Sequence, residues 1–188
     1  MERIRKDFTT LTLVMIPVAI ALNIAVGTLV YNLQMPIYLD SIGTIMVGVL
    51  AGPWAGALTG LLSNVIGGIF ISNYPQLTAY AGVSVVIGFL AGQLGDAGWL
   101  RNWWQVVLAG LLTGVIASIV GAPVTAYLFN GAVGNASTDA IIDALKASGW
   151  DVLAASLGQG LLIDPMDKVV TYLLLWVIFT NLPQRFLA

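Results

Sequence analysis

Apolar residues run through this chain in long blocks, each closed by a short cluster of Gly, Pro, Asn, Asp or Gln. A membrane-spanning helix needs about 20 mostly apolar residues, and the blocks predict six such helices. The first covers residues 9–31, preceded by Arg3, Arg5 and Lys6. That basic start resembles a signal peptide, but the apolar stretch is too long and five more spans follow. The second covers residues 36–51, opening on Pro36, a good first-turn residue. At 1.5 Å per residue it reaches only about 24 Å. Gly52-Pro53 breaks it, because proline interrupts backbone bonding and restricts its predecessor. The third covers residues 54–71 and closes on Ser72-Asn73-Tyr74-Pro75-Gln76. A fourth covers residues 77–94, and the fifth residues 103–129, with Pro123 near its far end.

Residues 130–163 break the pattern. They open on the turn-rich run Asn130 to Asn135, after which Ser137 or Thr138 is placed to cap a short amphipathic helix through Lys146. The stretch 150–163 is apolar but interrupted by Gly158 and Gly160, and reads as a helix packed on the bundle and leading directly into the last span. The sixth span covers residues 164–182 and ends at Pro183. Six spans put both termini on one side. Arg3, Arg5, Lys6, Arg101 and Arg185 then share that side, against Lys146 and Lys168 on the other, so the positive-inside rule predicts cytoplasmic termini. The expected fold is an all-α membrane protein: one domain over residues 1–188, a compact bundle of six transmembrane helices with a long outer segment before the last. Its elaborated loops face outward, and loops carry function.

Composition sharpens this. Hydrophobic residues make up 59% and charged residues 9%, where a soluble domain carries about 25% charged residues, so the chain cannot cover itself with polar surface. A net charge of −2 offers no basic field for nucleic acid. With no Cys there are no disulfides or thiolate chemistry, and with no His the commonest general base and metal ligand is missing. No cofactor, metal ion or catalytic residue is expected, although an all-carboxylate site for a hard cation stays open. None of Lys6, Lys146 and Lys168 ends a phosphate-binding loop, so any ATP-driven work falls to a partner.

Small residues recur every four positions: Gly52, Gly56, Gly60, Asn64 and Gly68 in the third span, Ser84, Gly88 and Gly92 in the fourth, Gly110, Gly114, Ser118 and Ala122 in the fifth. Such stripes let helix backbones approach in lipid. Packing within the bundle is the plain reading, and contact between subunits the other. Ala21 and Ala25 form a single small pair beside Pro17 and Asn23, either for ordinary packing or as a flat strip for another membrane protein.

Taken together, the chain resembles the substrate-binding S components of the energy-coupling factor (ECF) vitamin transporters. The resemblance rests on the six-span layout, Ala21-x-x-x-Ala25, the run Tyr38-Leu39-Asp40-Ser41-Ile42-Gly43-Thr44, the Gly52-Pro53-Trp54-Ala55-Gly56-Ala57-x-x-Gly60 junction and Asp167-Lys168. It implies a multi-pass protein of a prokaryotic cell membrane that binds a vitamin or related micronutrient from outside. It also implies a transmembrane coupling subunit carrying two ATPase subunits, onto which Ala21 and Ala25 would dock, and whose movement topples the S component to release substrate inside. The family's gating loops correspond to residues 32–35 and 72–76 here.

Polar groups are expensive in lipid, so those inside spans are the first binding candidates. Asp40, about one turn into the second span, either favours a helix N-terminus or binds a ligand amine or ring N–H. Asn64 is either interhelical glue or a ligand contact. Asp164, Asp167 and Lys168 cluster where the last span begins; Asp164 and Lys168 have i,i+4 spacing for a local ion pair, while Lys168 is also placed to bind an anionic group or hold Asp40. Tyr38, Asn73, Tyr74, Gln76, Trp150 and Gln159 either line the cavity mouth or, for the aromatic ones, anchor the interface. An apolar cavity with a few polar groups suits a flat heterocycle. Two other classes compete with the importer subunit: an autonomous secondary transporter, to which a weak repeat of Leu-Ala-Gly-x-x-x-Gly at Leu50 and Leu108 lends little, and a membrane sensor or interaction module.

Overall fold

A computed structural model describes residues 6–71 and 75–181. Every regular element within them is helical. In chain order these are α1 (Thr10–Asn32), α2 (Ile42–Ala51), α3 (Pro53–Ile66), α4 (Ala81–Asp96), α5 (Trp103–Pro123), α6 (Ala136–Ala147) and α7 (Val152–Asn181). A π turn, Gly67–Ile71, extends α3; a second, Val124–Leu128, extends α5; and a 3-10 turn, Pro75–Tyr80, leads into α4. Four helical stretches are long and apolar enough to cross a membrane: Thr10–Asn32, Pro53–Phe70, Gln76–Asp96 and Trp103–Leu128. That leaves α2 and α7 outside the set, one for its length and the other for charges in its middle.

Local chemistry sets the boundaries. The Thr9 hydroxyl accepts from the Thr12 N–H and starts α1, which runs through Pro17 without ending. Pro36 does not open α2. Residues 36–41 stay non-helical, with Leu39 at φ 48°, so α2 holds only 10 residues and spans about 15 Å. Gly52 at φ 111° separates α2 from α3, whose first residue is Pro53, where the missing N–H costs nothing. Asp7 caps α3 by accepting from the Trp54 N–H at 2.9 Å. The cap of α6 is Asn135, whose side chain accepts from the Ser137 N–H, rather than Ser137 or Thr138. In α6, burial pushes the Asp139 carboxyl above its ordinary range, against the lowering effect of the Val133 and Gly134 N–H donors. The stretch 150–163 and the expected sixth span are one unbroken 30-residue helix, α7, with Pro165 inside it.

The glycine stripes are packing surfaces within the bundle. A methyl on Gly56 would meet the Gly88 carbonyl at 2.5 Å, and one on Gly88 would strike the Gly56 carbonyl in return. The same backbone-to-backbone approach joins α5 to α7, at Gly110 against Val169 and at Gly114 against Pro165. These two helix pairs make the most extensive contacts of the fold. Ile45, Ile87, Val106, Tyr172 and Leu175 fill one apolar core, and Ile16, Ile20, Ile24 and Val47 fill a second between α1 and α2–α3. Leu11, Val14, Val18 and Leu29 of α1 stay exposed, as do Leu108, Leu111 and Ile119 of α5, giving the bundle an apolar exterior.

Candidate binding chamber

The loop between α1 and α2 is pinned to the middle of α7. Asp167, fully buried, accepts from the Tyr38 N–H at 3.0 Å and the Leu39 N–H at 2.8 Å through Oδ1. Its Oδ2 accepts from Lys168 Nζ, and that ammonium lies 3.8 Å from Asp40. The left-handed turn at Leu39 is thereby fixed, and Asp40 faces the interior. On its other side the same loop is clasped to the start of α6. Asn135 Nδ2 donates to the Met35 carbonyl at 3.0 Å, Ser137 Oγ donates to the Gln34 carbonyl at 2.6 Å, and the Ala136 N–H donates to Gln34 Oε1.

Beneath this loop lie two adjoining cavities, of about 180 and 100 Å³. Tyr38, Asp40, Asn64 and Leu77 line both. The larger has neutral polar walls from Asn23, Thr28, Tyr31, Ser63 and Asn135. The smaller carries the charge: Asp164 and Lys168, with Gln159, Ser118 and Ser156 beside them and Val83, Ile87 and Ala122 as apolar wall. Gln159 Nε2 donates to the Tyr38 hydroxyl at 3.1 Å, and the Tyr80 and Thr125 hydroxyls pair at 2.8 Å. A mostly apolar hollow with a few fixed polar groups is the common form of a small-molecule site.

Of the residues expected from the sequence, Tyr38, Asp40, Asn64, Gln159, Asp164 and Lys168 meet in this chamber. Several details differ from expectation. Asp40 lies in the loop before α2, not one turn into a helix. Asp164, Asp167 and Lys168 sit in the middle of α7 rather than at its start, so no helix N-terminus attends them. The local pair of Asp164 with Lys168 does not form: Asp167 holds the ammonium directly, Asp40 stands 3.8 Å from it, and Asp164 accepts from the Ser118 hydroxyl at 2.9 Å. Trp150 is 49% exposed, its ring beside Gly158, and is not among the lining residues. Gln76 stands in the 3-10 turn, its Oε1 buried without a partner among the described residues, and does not line either cavity. Asn73 and Tyr74 lie outside the described residues.

The interhelical glue is Asn23, not Asn64. Asn23 accepts from the Gly43 N–H at 2.6 Å and donates to Thr44 Oγ1 at 2.8 Å and Ser63 Oγ at 2.9 Å, tying α1 to α2 and α3. Asn64 is only 3% exposed, yet its Nδ2 donates to nothing among the described residues. Sequence reasoning missed the roles of Asn23, Asn135 and Ser118. A lone Asn within the first apolar block was the available signal for Asn23; the other two depend on contacts between distant segments. Ala21 and Ala25 share an exposed face of α1 with Val18 and Leu29, which are 62% and 58% exposed.

The profile of the family described as ECF transporter, substrate-specific component, matches residues 11–188. No curated protein and no solved structure matches the chain significantly. A match over nearly the whole length, on an all-helical bundle with several membrane-length helices, makes this a multi-pass membrane transporter subunit: the chain belongs to the substrate-specific component family of ECF transporters.

Proposed function

We propose that this protein captures a vitamin or related small heterocyclic micronutrient from outside a prokaryotic cell. It hands that substrate to an ATP-driven coupling module of one transmembrane subunit and two ATPases. The observation that carries the binding half is the chamber under residues 33–41, where Asn64 keeps a buried donor that no described residue accepts, beside Asp40 and Asp164. Leaving a buried donor unsatisfied costs about 1–3 kcal/mol, a cost that a bound acceptor would relieve. In this reading α2 and α7 complete six spans with the four longer apolar stretches. The termini are cytoplasmic, and the chamber opens outward beneath the loop clasped to α6.

The coupling half rests on family membership and on α1. Its Ala21–Ala25 face is apolar, lined by small residues and exposed, as a helix-docking strip in lipid needs to be. Co-expression with a coupling subunit and its ATPases tests this directly. The wild-type chain should co-purify with them. The double change Ala21→Trp plus Ala25→Trp should abolish co-purification while leaving substrate retention by the isolated chain intact. Undiminished docking of the double variant would remove α1 from the interface.

A further inference from the structure

The two cavities differ in charge, and that difference bears on which molecule fits. Asp40, Asp164 and Asp167 bring three carboxylates to one ammonium, Lys168. Lys168 is 2% exposed and already committed: Asp167 holds it directly and Asp40 stands 3.8 Å away, beyond direct hydrogen-bond distance. Asp167 is likewise occupied, with two backbone N–H donors on one oxygen and the ammonium on the other. Asp164 is different. It faces the smaller cavity, and Ser118 is its one hydrogen-bond donor among the described residues, where a carboxylate accepts about four. Asp40, lining both cavities, has a side chain 30% exposed. Buried charge in such surroundings is costly unless paired. The second observation is Asn64 Nδ2, buried at the shared wall without a partner among the described residues, which calls for an acceptor.

Building on the binding reading above, we propose that the substrate is a small organic cation. Its positively charged nitrogen lies between Asp40 and Asp164, and an acceptor atom, a ring nitrogen or carbonyl, faces Asn64. The protein supplies the anionic half of the pair and Lys168 does not compete, because its charge is spent on holding the loop. An anionic substrate would meet the Asp40 and Asp164 carboxyls without a free cation to receive it. The neutral polar walls of the larger cavity accommodate the remainder of the molecule.

The test uses the full chain in mild detergent, incubated with the small-molecule fraction of a bacterial cell extract and read by native mass spectrometry. The expected result is retention of a compound that is cationic at neutral pH. Asp164→Asn, which preserves the Ser118 contact, and Asp40→Asn should each lower its affinity at least tenfold while the thermal unfolding of Asp164→Asn stays near wild type. Retention of a neutral or anionic compound, or cation binding unchanged in both variants, would overturn the charge assignment and leave the binding reading standing. If the wild-type chain retains nothing, the binding reading fails and the charge assignment falls with it.

Discussion

The Asn23 carboxamide spends its hydrogen bonds on Gly43, Thr44 and Ser63, whereas that of Asn64, the very next residue after Ser63, leaves Nδ2 without an acceptor among the described residues. The two asparagines should therefore respond oppositely to mutation. Asn23→Leu leaves the buried Gly43 N–H without its acceptor and should destabilise the protein by about 1–3 kcal/mol. Thermal unfolding in detergent reads that loss. Asn64→Ala breaks no hydrogen bond within the described residues, so stability should change by about 1 kcal/mol or less. Substrate affinity should fall at least tenfold, about 1.4 kcal/mol. Equal stability losses in both variants would mean that Asn64 is structural. Asp167 is a third case. Replacing it by Ala leaves Lys168 buried without its closest partner and frees the Tyr38 and Leu39 N–H groups, for which a loss of about 3–5 kcal/mol is expected. The sequence offered Lys168 two partners, Asp164 by i,i+4 spacing and Asp40 across the bundle; the structure sets Asp40 3.8 Å from the ammonium and gives the direct contact to Asp167. An i,i+4 rule describes neighbours on one helix; it is blind to a loop arriving from 128 residues away.

Among the elements, the α3–α4 contact shows most clearly what a small-residue stripe does. Gly88 approaches the Gly56 backbone so closely that a methyl has no room, while Gly82, on the same helix, has nothing within 4 Å of its would-be methyl. Gly88→Ala should cost about 1–3 kcal/mol through overpacking, and Gly82→Ala should stay within about 0.5 kcal/mol. Thermal unfolding of the two variants side by side tests the assignment, and similar behaviour would contradict it. The stripes were legible because period-four spacing on a helix fixes which residues share a face. The end of the second helix was legible too, since Gly52-Pro53 leaves little choice. Its beginning was not. Pro36 is a good helix starter by propensity, but the bonds from Asp167 to the Tyr38 and Leu39 N–H groups hold residues 36–41 in a loop. The stretch 150–163 was legible as a helix leading into the last span, but not as one unbroken helix with it. Gly158 and Gly160 lower helix propensity, yet they sit where Trp150, Leu145 and Ser118 crowd the helix, so packing outweighs propensity.

For the whole molecule, division of labour is the central point. The bundle holds a chamber near one end and an exposed apolar helix, α1, along one side. The Asn135, Ser137 and Gln34 bonds clasp the loop over the chamber to α6, and each is a polar contact of the kind that opens at modest cost. Asn135→Ala should therefore speed substrate release several-fold in a filter-binding chase; an unchanged release rate would place the exit elsewhere. Proteoliposome uptake tests the account as a whole. The lone chain should bind its substrate but accumulate none, with or without an ion gradient. Addition of a coupling subunit, its ATPases and ATP should produce accumulation that Ala21→Trp plus Ala25→Trp abolishes. Uptake by the lone chain driven by an ion gradient would contradict the account and make the protein a transporter in its own right.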